Sequence, residues 1–386
     1  MVSLNLSDTS ASPVEEQNLA WPVRTDENWR FGSWKNGNLS NLEKAEKGTP
    51  FSGEMPAELD NFSRFVFENA ALVSGSHSAV ELTKASCQPE SKLGSEAAAQ
   101  LHGQVSEHGL VVSATEDVQI EIIHVVAGRG LLAPSLTIKA ADGANVTVLE
   151  RFVSATESET STVLAAVKVE VEAGSHVTYL TTQELSDESR LIRLADTKLQ
   201  GQATATQAVI HTGASWVREE TYSTVDGSDS KSEILSVAVP DSGQEYDQRT
   251  FQHHGARDTY SDLLFKNTLF GKAKTIFSGL IFVDEGAHGT DAYQTCRNLM
   301  MTDECEANSM PGLEINADGV KCSHGSTTSR VSEEEIFYLR ARGIDAKSAR
   351  FLVALGFSAD ALEKLGSEVL EKVAIEVVER KFRKVG

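Results

Sequence analysis

Between residues 105 and about 325, apolar and polar side chains alternate with a period of two. No run in that span has the spacing of a long amphipathic helix. Successive side chains on a strand point to opposite sides, so this alternation marks strands with one buried face. Leu136-Thr-Ile138-Lys-Ala140 shows it, and so does Val167-Lys-Val169-Glu-Val171-Glu172, where Lys168, Glu170 and Glu172 are set to face water. Leu235-Ser-Val237-Ala-Val239 shows it more weakly. So long a series of short strands, broken by Gly, Asp and Asn turns, leaves a sandwich, a barrel or a solenoid. One echo favours the solenoid. Gly143-Ala-Asn-Val146-Thr-Val-Leu149 recurs 31 residues on as Gly174-Ser-His-Val177-Thr-Tyr-Leu180, with a fainter copy at Gly213-Ala-Ser-Trp216-Val217. A turn glycine followed by an inward strand, repeated at such a spacing, is what stacked rungs produce.

The flanks read differently. The first hundred or so residues are mixed and loop-rich, with aromatics and charges crowded over 18–31 and weak helical patterns over 58–70 and 95–104. Ala97, Ala98 and Ala99 favour helix in the second of these. After Arg330 the pattern is helical with clear boundaries. Ser332 and Glu335 form a capping box for a helix over 333–342, which stops at Gly343, a left-handed position just past the end. Asp345 is placed to cap a second helix over 346–355, closed by Gly356, and Ser358 and Ser367 are further cap candidates. The last helix runs from Glu368 to about Val385 and ends in basic residues suited to a helix C-terminus. The expected organisation is an N-terminal mostly helical or mixed domain (1–104), a β core (105–329) and a C-terminal helical domain (330–386). The last is too small to bury its apolar face without a partner or a neighbouring domain.

The 386 residues include 56 acidic and 35 basic side chains, a net charge of −21. The length exceeds what one hydrophobic core organises, and the 40% hydrophobic share is that of a folded chain. The acidity excludes nucleic acid as the main partner, because phosphate binding needs a positive field. Residues 1–8 have neither a basic stretch nor an apolar one, so no secretory signal is expected. The apolar runs around 120–127 and 276–283 are too short to span a bilayer, so no membrane partner is expected. Four cysteines (Cys87, Cys296, Cys305 and Cys322) are too few for a disulfide scaffold. A cytoplasmic, reducing location is the expectation.

The densest chemistry is Cys296, Cys305, Cys322 and His324, all within 28 residues. Thiolate and imidazole suit zinc, copper(I) or iron–sulfur units, but these spacings match no zinc-finger knuckle. On a strand, Cys322 and His324 share a face and can hold one metal or cluster edge together. Cys296 and Cys305 fit equally as small core residues. His253 and His254 point to opposite faces of a strand, so at most one is a core or site residue. Glu333, Glu334 and Glu335 suit a helix N-terminus. The sequence has no GxxxxGK[ST] loop, GxSxG elbow or HExxH helix, and nothing in it is equipped to bind and split a nucleotide by itself.

Val320-Lys-Cys322-Ser-His324-Gly325, followed by Phe337-Tyr-Leu-Arg-Ala-Arg342-Gly343-Ile344, resembles the SufB/SufD family of iron–sulfur cluster assembly proteins, and the SufD branch more than SufB. The stretches 266–281, 290–299 and 311–315 are similar to the same family, as are 22–30 and 93–109 near the N-terminus. The similarity covers nearly the whole chain and is strongest over 265–360. It implies a mainly β fold, a right-handed parallel β-helix core with helical N-terminal and C-terminal domains. It also implies a non-catalytic scaffold subunit of the SUF assembly complex. Such a subunit pairs its β-helix side by side with a SufB-like paralogue, and a transient Fe–S cluster forms at the junction. A SufC-like ABC ATPase docks on the C-terminal helices, for which Phe337, Tyr338, Leu339, Arg342 and Gly343 are the candidate residues. The helices' apolar face is the expected docking surface. His324 is the matching cluster residue, with Cys322 beside it. A reduced flavin on the assembled complex is a further candidate cofactor, and a homodimer is a candidate state of the isolated chain.

One departure concerns Thr295-Cys296-Arg297-Asn298-Leu299. SufD-like sequences usually carry asparagine where this chain has Cys296, and SufB proteins carry a functional cysteine at about that place. Cys296 is therefore a third candidate cluster residue. Neighbouring rungs would place its sulfur within about 10 Å of Cys322 if the two share a face. Thr327-Thr328-Ser329 is also SufB-like, whereas Gly325 replaces the glutamate typical of SufB. A SufB-like self-pairing scaffold is the alternative within the family. A β-helix enzyme acting on acidic polysaccharide is the alternative outside it, disfavoured by the charge of −21.

Overall fold

The computed structural model describes residues 19–45, 51 and 55–385; residues 1–8, read above for a signal, lie outside these. The alternating stretch winds into a parallel β-solenoid of about eight turns. Each turn gives one strand to each of two sheets. The first sheet runs in the order Ala71–Ser74, Ser63–Glu68, Val118–Val126, Asn145–Ser154, His176–Glu184, Thr204–His211, Lys231–Ala238, Tyr260–Leu269, Asp291–Met300 and Lys321–Arg330. The second runs Val80–Thr83, His108–Ala114, Pro134–Ala140, Thr160–Val171, Arg190–Leu199, Trp216–Val225, Glu245–His254, Lys274–Val283 and Glu306–Ile315.

The 31-residue echo is one turn of this coil, since Val146 pairs with Val177 and Leu149 with Leu180. The fainter copy is not the next rung. Val177 is followed in its column by Ala205, while Trp216 lies in the second sheet between Arg190 and Glu245. Turn loops differ in length although strand register is kept, so a fixed spacing loses the repeat. Alternation holds at 167–171: Val167, Val169 and Val171 point into the core, and Lys168 pairs with Glu170 outside at 2.6 Å. At 235–239 all five residues are buried, because Leu235, Val237 and Val239 pack with the helices that follow the solenoid. Each fully buried valine contributes about 1.5–3 kcal/mol.

The weak helical pattern over 58–70 forms no helix. Ser63–Glu68 is instead a strand beside Val118–Val126, with Phe65 and Phe67 buried in the solenoid core. Burial of two aromatics on alternate positions overrides a weak local preference. Helix α1 (Glu96–Val105) forms as expected and packs Ala98, Ala99 and Leu101 with Trp29, Ile192 and Trp216 on the outer face of the second sheet. Arg218 ties the N-terminal segment to that face. Its guanidinium lies 4.3 Å above the Trp29 ring, donates to Asn28 O at 3.1 Å and pairs with Asp247 at 2.6 Å.

Three helices follow the solenoid: α2 (Glu333–Ala341), α3 (Ala346–Leu362) and α4 (Glu368–Val385). The Ser332 hydroxyl accepts from Glu335 N at 3.2 Å, and Asp345 accepts from Lys347 N and Ser348 N at 3.0 Å. Gly343 takes φ +89°, as its position after α2 requires. Gly356 does not close α3, and Ser358 is no cap; its hydroxyl donates back to Ala354 O at 3.1 Å inside the helix. The face formed by Ala349, Ala354, Ala361 and Leu362 is buried against Leu149, Leu180, Ala208 and Leu235 of the first sheet. That burial outweighs the roughly 1 kcal/mol an internal glycine costs. α4 adds Val373, Val377 and Phe382 to the same cluster. The helices' apolar face is thus covered by the chain's own solenoid rather than left for a partner. Among the described residues no helix is long and apolar enough to cross a membrane.

Candidate functional site

The two ends of the solenoid differ. At the N-terminal end each sheet finishes in a four-residue antiparallel strand, Ala71–Ser74 and Val80–Thr83. At the C-terminal end each finishes in a ten-residue strand, Glu306–Ile315 and Lys321–Arg330, and among the described residues no further strand lies beyond it. An edge of that length offers a row of unpaired backbone donors and acceptors.

Cys322 and His324 stand on this last rung. They pair with Ala292 and Gln294 of the strand below and lie on the side where Ala292, Gln294, Cys296 and Asn298 are buried. Cys322 is half-buried against Ile281, Val283 and Ala292, whereas His324 is exposed. Burial raises the Cys322 thiol above its ordinary value; a hydrogen bond from the Ala292 backbone opposes this and nearby Asp291 reinforces it. The thiol is therefore protonated at neutral pH, and an incoming metal must displace that proton. Beneath the rim, the Gln294 carboxamide crosses the lumen and donates to Gly279 O at 3.3 Å. A Cβ at position 279 would collide with it, so the lumen floor here depends on glycine.

Cys296 shares the inward side but is in register with Ser326, four residues along from Cys322. Strand geometry then separates the two sulfurs by about 14 Å, so the expected 10 Å approach is not met. Cys296 is fully enclosed among Ile234, Leu263, Phe265 and Phe277. Its sulfur lies 3.7 Å from Ser309 Oγ and 3.9 Å from Asn298 Oδ1, and burial pushes the thiol up to about 12. Cys305 is buried at the far end of the same rung, 2.9 Å from Thr302 Oγ1. Cys87 lies beside Leu136 and Thr137, far from the rim, with its thiol pushed up to about 11 by burial. Among the described residues no three His, Cys, Asp or Glu side chains converge to hold a metal ion. The structure brings Cys322 and His324 together and leaves the other cysteines apart. His254 points inward to Thr259 and Ser261 at 2.8 Å each, and His253 points outward to Asp284 at 2.8 Å.

The residues read as an ATPase dock divide. Phe337 and Tyr338 are 71% and 57% exposed on α2, and the Arg342 guanidinium lies 4.4 Å over the Tyr338 ring. Leu339 instead packs toward the helical core. The open strand edges were not read from the sequence. The only signal for them is that strand alternation gives way to a capping box immediately after Arg330.

The SUF system FeS cluster assembly SufBD core domain matches residues 123–357, which takes in both terminal strands and the rim. The chain belongs to the SufBD family. It is 34% identical to the iron–sulfur cluster assembly protein SufD of Escherichia coli over 232 residues, 60% of this chain and 55% of that one. A SufBD family protein of Mycobacterium leprae is 29% identical over 220 residues, 55% of this chain and 56% of its own. One from Synechocystis is 32% identical over 197 residues, 50% and 42% of the two chains. The chain spans about half the length of the curated relatives it matches.

Proposed function

We propose that this SufBD family chain is a SufD-type, non-catalytic scaffold subunit that works in the cytoplasm. It pairs through the open end of its solenoid, end to end rather than side by side, with a SufB-like paralogue and presents His324 and Cys322 to an Fe–S cluster assembled transiently at that junction. The observation that carries the reading is the pair of ten-residue terminal strands, each paired along one edge only, with Cys322 and His324 on their rim. Edge strands recruit strands through main-chain hydrogen bonds, and two facing solenoid ends can satisfy each other in this way. One thiol and one imidazole do not complete the ligand set of a cluster, so a facing chain has ligands to add. Without the paralogue, the same edges support pairing of two copies. The exposed Phe337–Tyr338–Arg342 patch on α2 is the surface we assign to a SufC-like ABC ATPase. The SufB-like alternative loses support because its distinguishing cysteine, Cys296, is enclosed in the core.

Gly325→Arg tests the pairing. A Cβ at position 325 meets nothing within 4 Å, so the isolated chain should keep its fold and melting temperature. The SufB-like chain should no longer co-purify with it. Undiminished co-purification would place the pairing surface elsewhere.

A further inference from the structure

The solenoid lumen is not uniformly apolar. On the rungs formed by His176–Glu184 with Arg190–Leu199 and by Thr204–His211 with Trp216–Val225, the side chains of Thr181, Gln183, Arg193, Gln207, His211 and Glu219 all point inward and are at most 3% exposed. Register makes His211 the direct neighbour of Gln183 on the first sheet, and Arg193 that of Glu219 on the second. The Glu219 carboxylate is used on one side only. Its Oε1 accepts from Arg193 and from Thr221 Oγ1 at 2.9 Å, whereas Oε2 has no hydrogen-bond partner. His211 Nε2 lies 3.7 Å from that oxygen, beyond hydrogen-bond reach. Both His211 ring nitrogens, Gln183 Nε2, Gln207 Nε2, Arg193 Nε and Thr181 Oγ1 are likewise buried without partners.

Seven unpartnered buried polar atoms on the inward faces of these strands require partners, because buried polar groups in folded proteins are satisfied by protein or by water. Arg193 and Glu219 neutralise each other, so the compartment has no net charge to offer an ion. His211 stays neutral, its pKa pushed down to about 3 by burial and by Arg193, and so presents one donor and one acceptor. We propose that this compartment is an internal water site, holding about two molecules that bridge Glu219 Oε2 and His211 to the Gln183 and Gln207 carboxamides. Buried waters typically make about three hydrogen bonds each, which sets the number.

A high-resolution structure of the full chain should show at least two waters within hydrogen-bond distance of His211 and Glu219 Oε2. Water magnetic relaxation dispersion provides a second count. The triple variant Gln183→Leu, Gln207→Leu, His211→Leu removes the carboxamide and imidazole donors and should lose at least one long-lived water relative to the unaltered chain. If that variant does not fold, the structure of the unaltered chain decides. An empty compartment with His211 bonded directly to Glu219 overturns the proposal, as does an ion bound there or an unchanged water count in a folded variant.

Discussion

Unfolding this chain below neutral pH should draw protons out of solution, because several histidines are buried in the neutral form. Burial pushes His108 and His211 down to about 3 and His254 down to about 4, with His124 acting further on His108, Arg193 on His211 and His253 on His254. In the unfolded chain each returns to about 6.5, so at pH 5.5 each binds about 0.9 proton that the folded chain excludes. Three such residues take up about 2.7 protons. Glu219 works the other way. Burial raises its carboxyl above the usual range, so the folded chain holds up to about one proton there that unfolding releases. For these four groups together the uptake is about two to three protons, equivalent to a loss of about 3–4 kcal/mol of stability per pH unit near pH 5.5. The sign follows from folded pKa values below the unfolded ones. The histidines' contribution is complete above about pH 6.5 and is lost as pH falls toward the folded values. His254→Gln isolates one of them, since a carboxamide retains hydrogen-bonding capacity toward Thr259 and Ser261. Unfolding in concentrated guanidinium under pH-stat control counts the protons directly. The variant should take up about 0.9 proton fewer than the parent at pH 5.5, and the same number at pH 8. Equal uptake at pH 5.5 would mean that His254 is charged in the fold, and the reasoning fails.

Gly279→Ala forces the Gln294 carboxamide out of its place and should cost about 1–3 kcal/mol in chemical denaturation, whereas Gly325→Ala should be nearly neutral. Thiol labelling of the native chain should modify Cys322 first and leave Cys296 and Cys305 untouched until the chain unfolds, with the Cys322 rate rising with pH because its thiol sits above its ordinary value. Native labelling of Cys296 at the Cys322 rate would refute the packing around it. Replacing both Phe337 and Tyr338 by Ala should change stability by only about 0.5 kcal/mol per site, as exposed positions do, while abolishing co-purification of the ATPase. Retained ATPase binding would remove that patch from the docking surface.

Local pattern in the sequence settles a good part of this protein. Alternation at Val167–Val171 and the spacing between Val146 and Val177 identify inward strand faces stacked one turn apart, because side-chain direction on a strand depends only on parity. Ser332, Asp345 and Gly343 mark helix ends, because capping is a contact among residues three or four apart. Cys322 and His324 share a face for the same reason of parity. The tertiary structure decides what depends on distant partners. The strand Ser63–Glu68 exists because Phe65 and Phe67 find the solenoid core, and α3 continues past Gly356 because its small-residue face finds the first sheet. Cys296 is enclosed, and distant from Cys322, because register with the neighbouring strand sets which residues stack. No local feature states that a solenoid ends with both edges open, since an edge is defined by the absence of the next strand. The polar lumen around His211 is equally non-local: four strands from two sheets supply these side chains, and only their pairing brings them together.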